Sequence, residues 1–248
     1  MSRGFVHAAE ANHVQLTLVG GGSLVQLDPS GKAALSDVDP LWIYNWAFGI
    51  RLGVDLAGAE AAFRGAGRPY VHVAASPSSR ADIGEVLPGL GFKHIERQSY
   101  RRTTGTGAGA PGLLPYGRDE AGAFADLVLT GWGLDPASAE RRESYLRRFA
   151  DTRSRAYRSA DGAGCFLLFD DGPTTQLCHL AVHPDARGAG LGRRLTELAA
   201  GLVPAGRPLW LFTELDGAGD RTAAAAGWAR NHTADNWLLD LEPAGRGA

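Results

Sequence analysis

The sequence predicts a mixed α/β layer fold, a central sheet flanked by helices, built in two parts. Three observations predict it. Apolar residues make up 44% of the 248 and charged residues 21%, enough for a sizeable buried core. The stretch TTGTGAGAPG at 103–112 has four glycines, one proline and no charge, and reads as a flexible linker between halves of about 100 and about 135 residues. Beyond it, helical and strand periodicities follow in the order ααβββαβαβ.

In the first half, residues 56–64 have a helical pattern, 70–75 a strand pattern and 81–90 a second helical one, and Gly91-Phe92 leads into a closing strand at 93–102. After the linker, 119–130 places Phe124, Leu127 and Val128 on one helical face, and 137–149 follows Pro136 at a helix start. Residues 155–159, 165–169 and 175–182 are apolar or alternating runs between Gly and Asp turns, and read as a strand meander. A helix then carries Leu191, Leu195, Leu198, Ala199 and Leu202 as one apolar stripe that must pack on the sheet. A strand at 208–213, a short helix at 220–226 and a strand at 236–241 complete the order. The first half ends in the same helix, strand, helix, strand order, with Gly91-Phe92 where the second has Gly227-Trp228, which reads as a duplication.

The formal net charge is −2 and the basic residues are dispersed, with lysine only at Lys32 and Lys93, so neither nucleic acid nor an anionic membrane is expected as partner. Cys165 and Cys178 are too few for a disulfide framework and lack the paired spacing of a zinc site, so no metal is expected. No apolar run reaches the roughly 18 residues of a spanning helix. The start MSRGFVHAAEANH has no apolar signal core. The expectation is a cytoplasmic monomer or homodimer.

The most informative segment is LCHLAVHPDARGAGLGRRL at 177–195. A strand leads into a loop with glycines at 188, 190 and 192 and then into the amphipathic helix. Alternate glycines aim successive N–H groups into one concavity at a helix N-terminus, where the macrodipole favours negative charge. A phosphate fits there. Arg187, Arg193 and Arg194 beside it call for an anion to offset them, against the alternative of solvated arginines on a plain turn. The glycines run GxGxG, unlike the GxGxxG of dinucleotide sites, and no Gly-Lys-Ser/Thr follows as in a P-loop.

Arg187-Gly188-Ala189-Gly190-Leu191-Gly192 resembles the Arg/Gln-x-x-Gly-x-Gly/Ala signature of the GNAT superfamily of acetyl-CoA-dependent N-acetyltransferases, and Leu180-Ala181-Val182-His183-Pro184 resembles that family's fourth strand. The resemblance covers about residues 113–242. The first half, with Tyr44-Asn45 and Gly91-Phe92, resembles the truncated N-terminal half of tandem members; it has no second Arg-x-x-Gly-x-Gly, so one acetyl-CoA site is expected. The domains expected are thus 1–102 as a structural GNAT-like half, 103–112 as linker and 113–248 as the catalytic half.

The resemblance implies that the loop from Arg187 to Arg193 holds the pyrophosphate of acetyl-CoA. It implies also that the backbone of Leu180, Ala181 and Val182 pairs with the pantetheine arm, an N–H near Val182 facing the thioester oxygen. Such a donor contributes roughly 2.7–4 kcal/mol in other acyl-transfer sites. An alkylamine with a pKa near about 10.4 must lose a proton before attack, so a base is required. The family often has a carboxylate or histidine where this chain has Gln176, which cannot serve. His179 and Glu214 are the catalytic candidates; each has a plain reading too, as a core histidine and a solvated strand end. Strand alternation puts Gln176 and Cys178 on one face and His179 on the other, an assignment that a bulge in the strand would reverse. Asp216 falls where the family often has an Asn near the cofactor, and its charge leaves a matching contact in doubt. The family's tyrosine acid falls at Ala223. Trp132 and Tyr145, with Tyr157 and Trp46, are aromatic candidates for the acceptor wall or for the core. The expected function is transfer of acetyl from acetyl-CoA to a small-molecule amine by direct attack in a ternary complex. The alternatives are an acyl-CoA-binding protein with a degenerate site, or an acyltransferase acting on a protein amine or using a longer acyl group.

Overall fold

The computed structural model describes residues 8–27, 31–39, 41–51 and 54–241; the ends of the expected domains, 1–7 and 242–248, lie outside them. The chain forms two compact units, 1–98 with 232–248, and 99–231. Among the described residues no helix is long and apolar enough to cross a membrane.

Unit 1 contains α1 (Ala8–Val19), β1 (Gly22–Gln26), β2 (Lys32–Ser36), β3 (Asn45–Phe48), α2 (Val54–Gly65), β4 (Tyr70–Ala75), α3 (Ile83–Val86) and the start of β5 (Lys93–Thr104). Its strands run β1-β2-β3-β4, with β3 and β4 parallel and the others antiparallel. Periodicity does not reveal α1, β1 or β2: α1 buries Glu10, Asn12, His13 and Thr17 beside Val14 and Leu16, and so lacks an apolar stripe. With them, the half reads αβββαβαβ, the order of the second half without its first strand and with one helix fewer. The expectation of a single cofactor site bears on the link between β3 and α2, where residues 52 and 53 lie outside the described ones.

Unit 2 contains β6 (Leu113–Pro115), α4 (Ala121–Gly131), α5 (Ala139–Ala150), β7 (Ser154–Ser159), β8 (Gly164–Asp170), β9 (Thr175–Val182), α6 (Leu191–Gly201), β10 (Pro208–Glu214), α7 (Ala218–Ala225) and the start of β11 (Ala229–Asp240). Its strands run β10-β9-β8-β7-β6. On one side of this sheet, Leu195, Ala199 and Val203 from α6 and the residues after it pack on Phe166, Leu168, Leu177, Leu209 and Leu211. Of the stripe expected from the sequence, Leu195 and Ala199 are buried in this cluster and Leu191 and Leu202 pack at its edge, while Val203 takes a place that the pattern gave to Leu198; fully burying one such side chain contributes about 1.5–3 kcal/mol.

Two features differ from the sequence expectation. The last strand belongs with unit 1, because Asp235–Asp240 of β11 pairs antiparallel with Tyr70–Ala75 of β4. The glycine-rich segment is no loose tether: the amides of Gly105, Thr106, Gly107 and Gly109 donate to the carbonyls of Arg207, Ala200, Val203 and Gly201. Glycine there serves close approach. A Cβ on Gly105 would stand 2.5 Å from the carbonyl oxygen of Pro204, and one on Gly201 would collide with that of Gly109.

Candidate functional site

The site is built where β9 parts from β10. These parallel strands pair at Leu209–Thr175 and Trp210–Gln176. Further along, β9 keeps β8 on one side: Cys165 opposes Ala181, and the His183 amide donates to the Ala163 carbonyl at 2.8 Å. In an antiparallel ladder alternate residues exchange bonds with the partner strand, so Ala181 faces β8 while the amides and carbonyls of Leu180 and Val182 face the opposite, unladdered edge.

Between these stretches β9 has a bulge. Leu167 opposes Cys178, two residues of β8 against three of β9, and His179 takes a left-handed φ of 53°. The bulge puts His179 on the face of Cys178. Its ring lies 5.0 Å from that of Tyr145, 5.8 Å from Trp132 and 6.2 Å from Phe124. Plain alternation is thus corrected: Gln176, Cys178 and His179 share the side covered by α4 and α5. Burial, reinforced by the Arg148 guanidinium, pushes the His179 imidazole well below its ordinary pKa and keeps it neutral.

α5 faces this stretch with Ser144, Tyr145 and Arg148, all fully buried. Within the described chain neither amide atom of Gln176, neither ring nitrogen of His179, nor the Ser144 hydroxyl has a hydrogen-bond partner. Each such orphan costs about 1–3 kcal/mol. α4 ends in a left-handed glycine, Gly133, whose amide and that of Leu134 close back on Thr130 and Leu129. This stop places Trp132 over β9, where its indole donates to the Leu180 carbonyl at 2.9 Å.

The glycine loop follows a 3₁₀ turn, Pro184–Ala186, and opens α6. Gly188 and Gly190 hold φ of 81° and 79°, and a Cβ on either would meet no protein atom within 4 Å. Glycine is required there by backbone sign, with open space in front. Gly190 is the N-cap, so the N–H groups of Leu191, Gly192 and Arg193 begin the helix without intrahelical acceptors. The loop is exposed. Phosphate oxygens fit this cradle of turned amides at a helix N-terminus.

Residues 137–219 match the model of the acetyltransferase (GNAT) family. That stretch of the chain is similar to a GNAT acetyltransferase domain. Solved structures share the fold: a GCN5-related N-acetyltransferase from Kribbella flavida is 18% identical over 95% of this chain and 96% of its own, with a TM-score of 0.66. One from Sphaerobacter thermophilus is 14% identical over 86% and 77%, at 0.64. A tandem GNAT protein from the clavulanic acid biosynthesis pathway is 21% identical over 90% and 80%, at 0.54. No curated protein matches the sequence. The GNAT fold supports acyl-CoA-dependent acyl transfer in general, and this chain's cradle and unladdered strand edge lie next to each other along β9, the loop and α6.

Against this GNAT frame the expected residues divide. His179, Trp132 and Tyr145 come together. Glu214 stands apart, exposed at the end of β10, with its carboxylate folded toward Gly217. Arg187 donates to the carbonyl of Gly131 at 2.6 Å, and Arg193 pairs with Glu197 one turn on at 2.7 Å. Asp216 is ion-paired with Arg230. Ala223 is buried in the core under α6. Sequence reasoning missed Ser144, Arg148 and the Arg101–Asp220 pair. Arg101 donates to both carboxylate oxygens of Asp220, at 2.6 and 3.1 Å, and joins β5 to α7. Burial would raise the Asp220 carboxyl, but Arg101 and Arg230 hold it below the usual range. The signal for Arg148 was available: in α5 it lies three residues from Tyr145, on the helix's buried side.

Proposed function

We propose that unit 2 transfers an acetyl group from acetyl-CoA to a small-molecule amine by direct attack in a ternary complex. The observation that carries this reading is the edge of β9 at Leu180 and Val182, unpaired with any strand, running into the amide cradle of Gly188–Gly192. An extended amide-bearing arm ending in phosphates matches both parts. Acetyl-CoA, when bound, supplies the acyl group as an activated thioester.

In this reading the cradle and the α6 N-terminus bind the phosphates, with Arg187 and Arg193 adding positive charge. The backbone of Leu180, Ala181 and Val182 aligns the arm, and the Val182 N–H stabilises charge developing on the carbonyl oxygen. Trp132 and Tyr145 wall the acceptor. His179, held neutral, is a poor store for a proton and contributes a wall and a hydrogen bond. Glu214, on the strand bordering the free edge, takes the amine proton through water. With Ala223 where an acid would stand, the leaving thiolate is protonated by solvent, which a thiol pKa near about 8.5 permits.

A second reading, a CoA-binding protein without turnover, is favoured by Gln176 and Ala223 at the positions of base and acid. Thiol release from acetyl-CoA, followed with a broad amine panel, decides between them. Release with one or more amines supports the enzyme. Micromolar CoA binding with no release for any amine removes it.

A further inference from the structure

The edge of β9 that the proposed donor would use already has an occupant. The Leu180 carbonyl points to that edge and accepts the Trp132 indole N–H at 2.9 Å. One residue earlier, Gly131 lies so close to the strand that a Cβ on it would stand 2.8 Å from the Ala181 Cβ, 3.2 Å from Val182 N and 3.3 Å from Val182 O. The Gly131 carbonyl in turn accepts Arg187, the first residue of the glycine loop, at 2.6 Å. The C-terminal end of α4 is therefore fastened to strand and loop together. The same indole ring lies 5.8 Å from His179 and 6.1 Å from Tyr145, so it also packs on the buried rings beneath β9.

A ligand that pairs with β9 as a further strand has to place an N–H on the Leu180 carbonyl, because edge carbonyls in a sheet point along the ladder direction. The indole takes that direction here. We propose that Trp132 is a positioning residue that stands in for the donor's arm: its N–H holds the Leu180 carbonyl until an amide of an acyl-CoA arm replaces it. This rests on the reading of β9 as the CoA edge. Trp132 is 38% exposed, so its N–H finds water on release, and the exchange costs about one net hydrogen bond.

The test is calorimetric titration of CoA into the full chain and into Trp132→Phe, which keeps an aromatic ring and lacks the donor. The variant is expected to bind CoA about 2- to 10-fold more tightly, the worth of one net hydrogen bond no longer broken, while its thermal midpoint falls. A side chain with only a structural role would lower affinity and midpoint together. Gly131→Ala, which keeps the indole but pushes the end of α4, and Trp132 with it, off the strand, is the second variant and is expected to tighten binding in the same way. CoA binding by the wild type with equal or weaker affinity in both variants overturns the role of Trp132 and leaves the CoA edge standing. No binding by the wild type removes the CoA edge, and the proposal with it.

Discussion

Replacement of Gly190 separates the two reasons for a glycine in the cradle. Its φ of 79° and ψ of 6° lie in the left-handed region, where an ordinary L-residue costs about 1–2 kcal/mol and Asn or Asp is tolerated best. No protein atom lies within 4 Å of an added Cβ, so neither side chain clashes with the fold. Gly190→Asn and Gly190→Asp therefore differ mainly in charge. A carboxylate about 4 Å from a phosphate oxygen is repelled by about 1 kcal/mol in bulk water and about 4 kcal/mol at an effective dielectric of about 20. The loop is exposed, so the lower part of that range applies, about 1–2 kcal/mol. This corresponds to roughly 5- to 30-fold weaker CoA binding for Asp than for Asn. Calorimetric titration with CoA and with pantetheine, which has no phosphate, provides the comparison. The Asp and Asn variants should fold alike, bind pantetheine alike and differ toward CoA. Equal affinity for CoA in the two variants would refute the assignment of the loop to phosphate.

Three further outcomes follow from the structure. Gln176→Met removes two buried atoms that have no partner within the described chain and should raise stability by about 1–3 kcal/mol in urea unfolding; a lower midpoint would mean that the amide is satisfied in the native protein. His179 is neutral when folded and titrates near about 6.5 when unfolded, so stability should fall as pH drops below that value, by about 1.4 kcal/mol per unit for one proton, with buried His72 acting in the same direction. His179→Asn, which suits the left-handed backbone, should reduce this slope by one proton, and an unchanged slope between pH 6.5 and 5 would contradict a neutral ring. Gly201→Ala sets a methyl against the Gly109 carbonyl and should cost about 1–3 kcal/mol, with faster hydrogen exchange at the amides of Gly105, Gly107 and Gly109; native exchange rates there would show that the segment does not depend on this contact.

What could be read from the sequence was what depends on short-range pattern. The α6 stripe, the meander of β7, β8 and β9 and the glycine loop each carry their signal within some ten residues, and each stands where the pattern put it. The features that escaped depend on partners distant in the chain. Whether His179 faces α5 is decided by the register of β9 against β8, and a bulge leaves no mark on period-two alternation. The composition of 103–112 describes a flexible chain, yet Gly105 is pressed against the Val203 and Pro204 backbone and Gly109 lies against Gly201, about a hundred residues away in sequence. Polar helix α1 has no stripe to read, because its buried face contains Glu10, Asn12 and His13. Of the site, the backbone elements were legible and most of the buried side chains were not: Ser144 looks like a solvated helix residue until the tertiary fold covers it, and Arg148 shows only through its helical spacing from Tyr145.

The pairing of β11 with β4 bears on how the chain is made. Unit 1 owns both the first and the last residues, and unit 2 lies between them. A domain at the start of a chain ordinarily folds as soon as it has left the ribosome. Here the early strands must wait, with the edge of β4 unpaired, until Asp235–Asp240 has been synthesised. Unit 2, by contrast, is whole once residue 231 has emerged, so the later segment is positioned to fold first. A cut placed in 103–112 to yield two separate proteins would leave the first without its closing strand and strip 99–102 from the second.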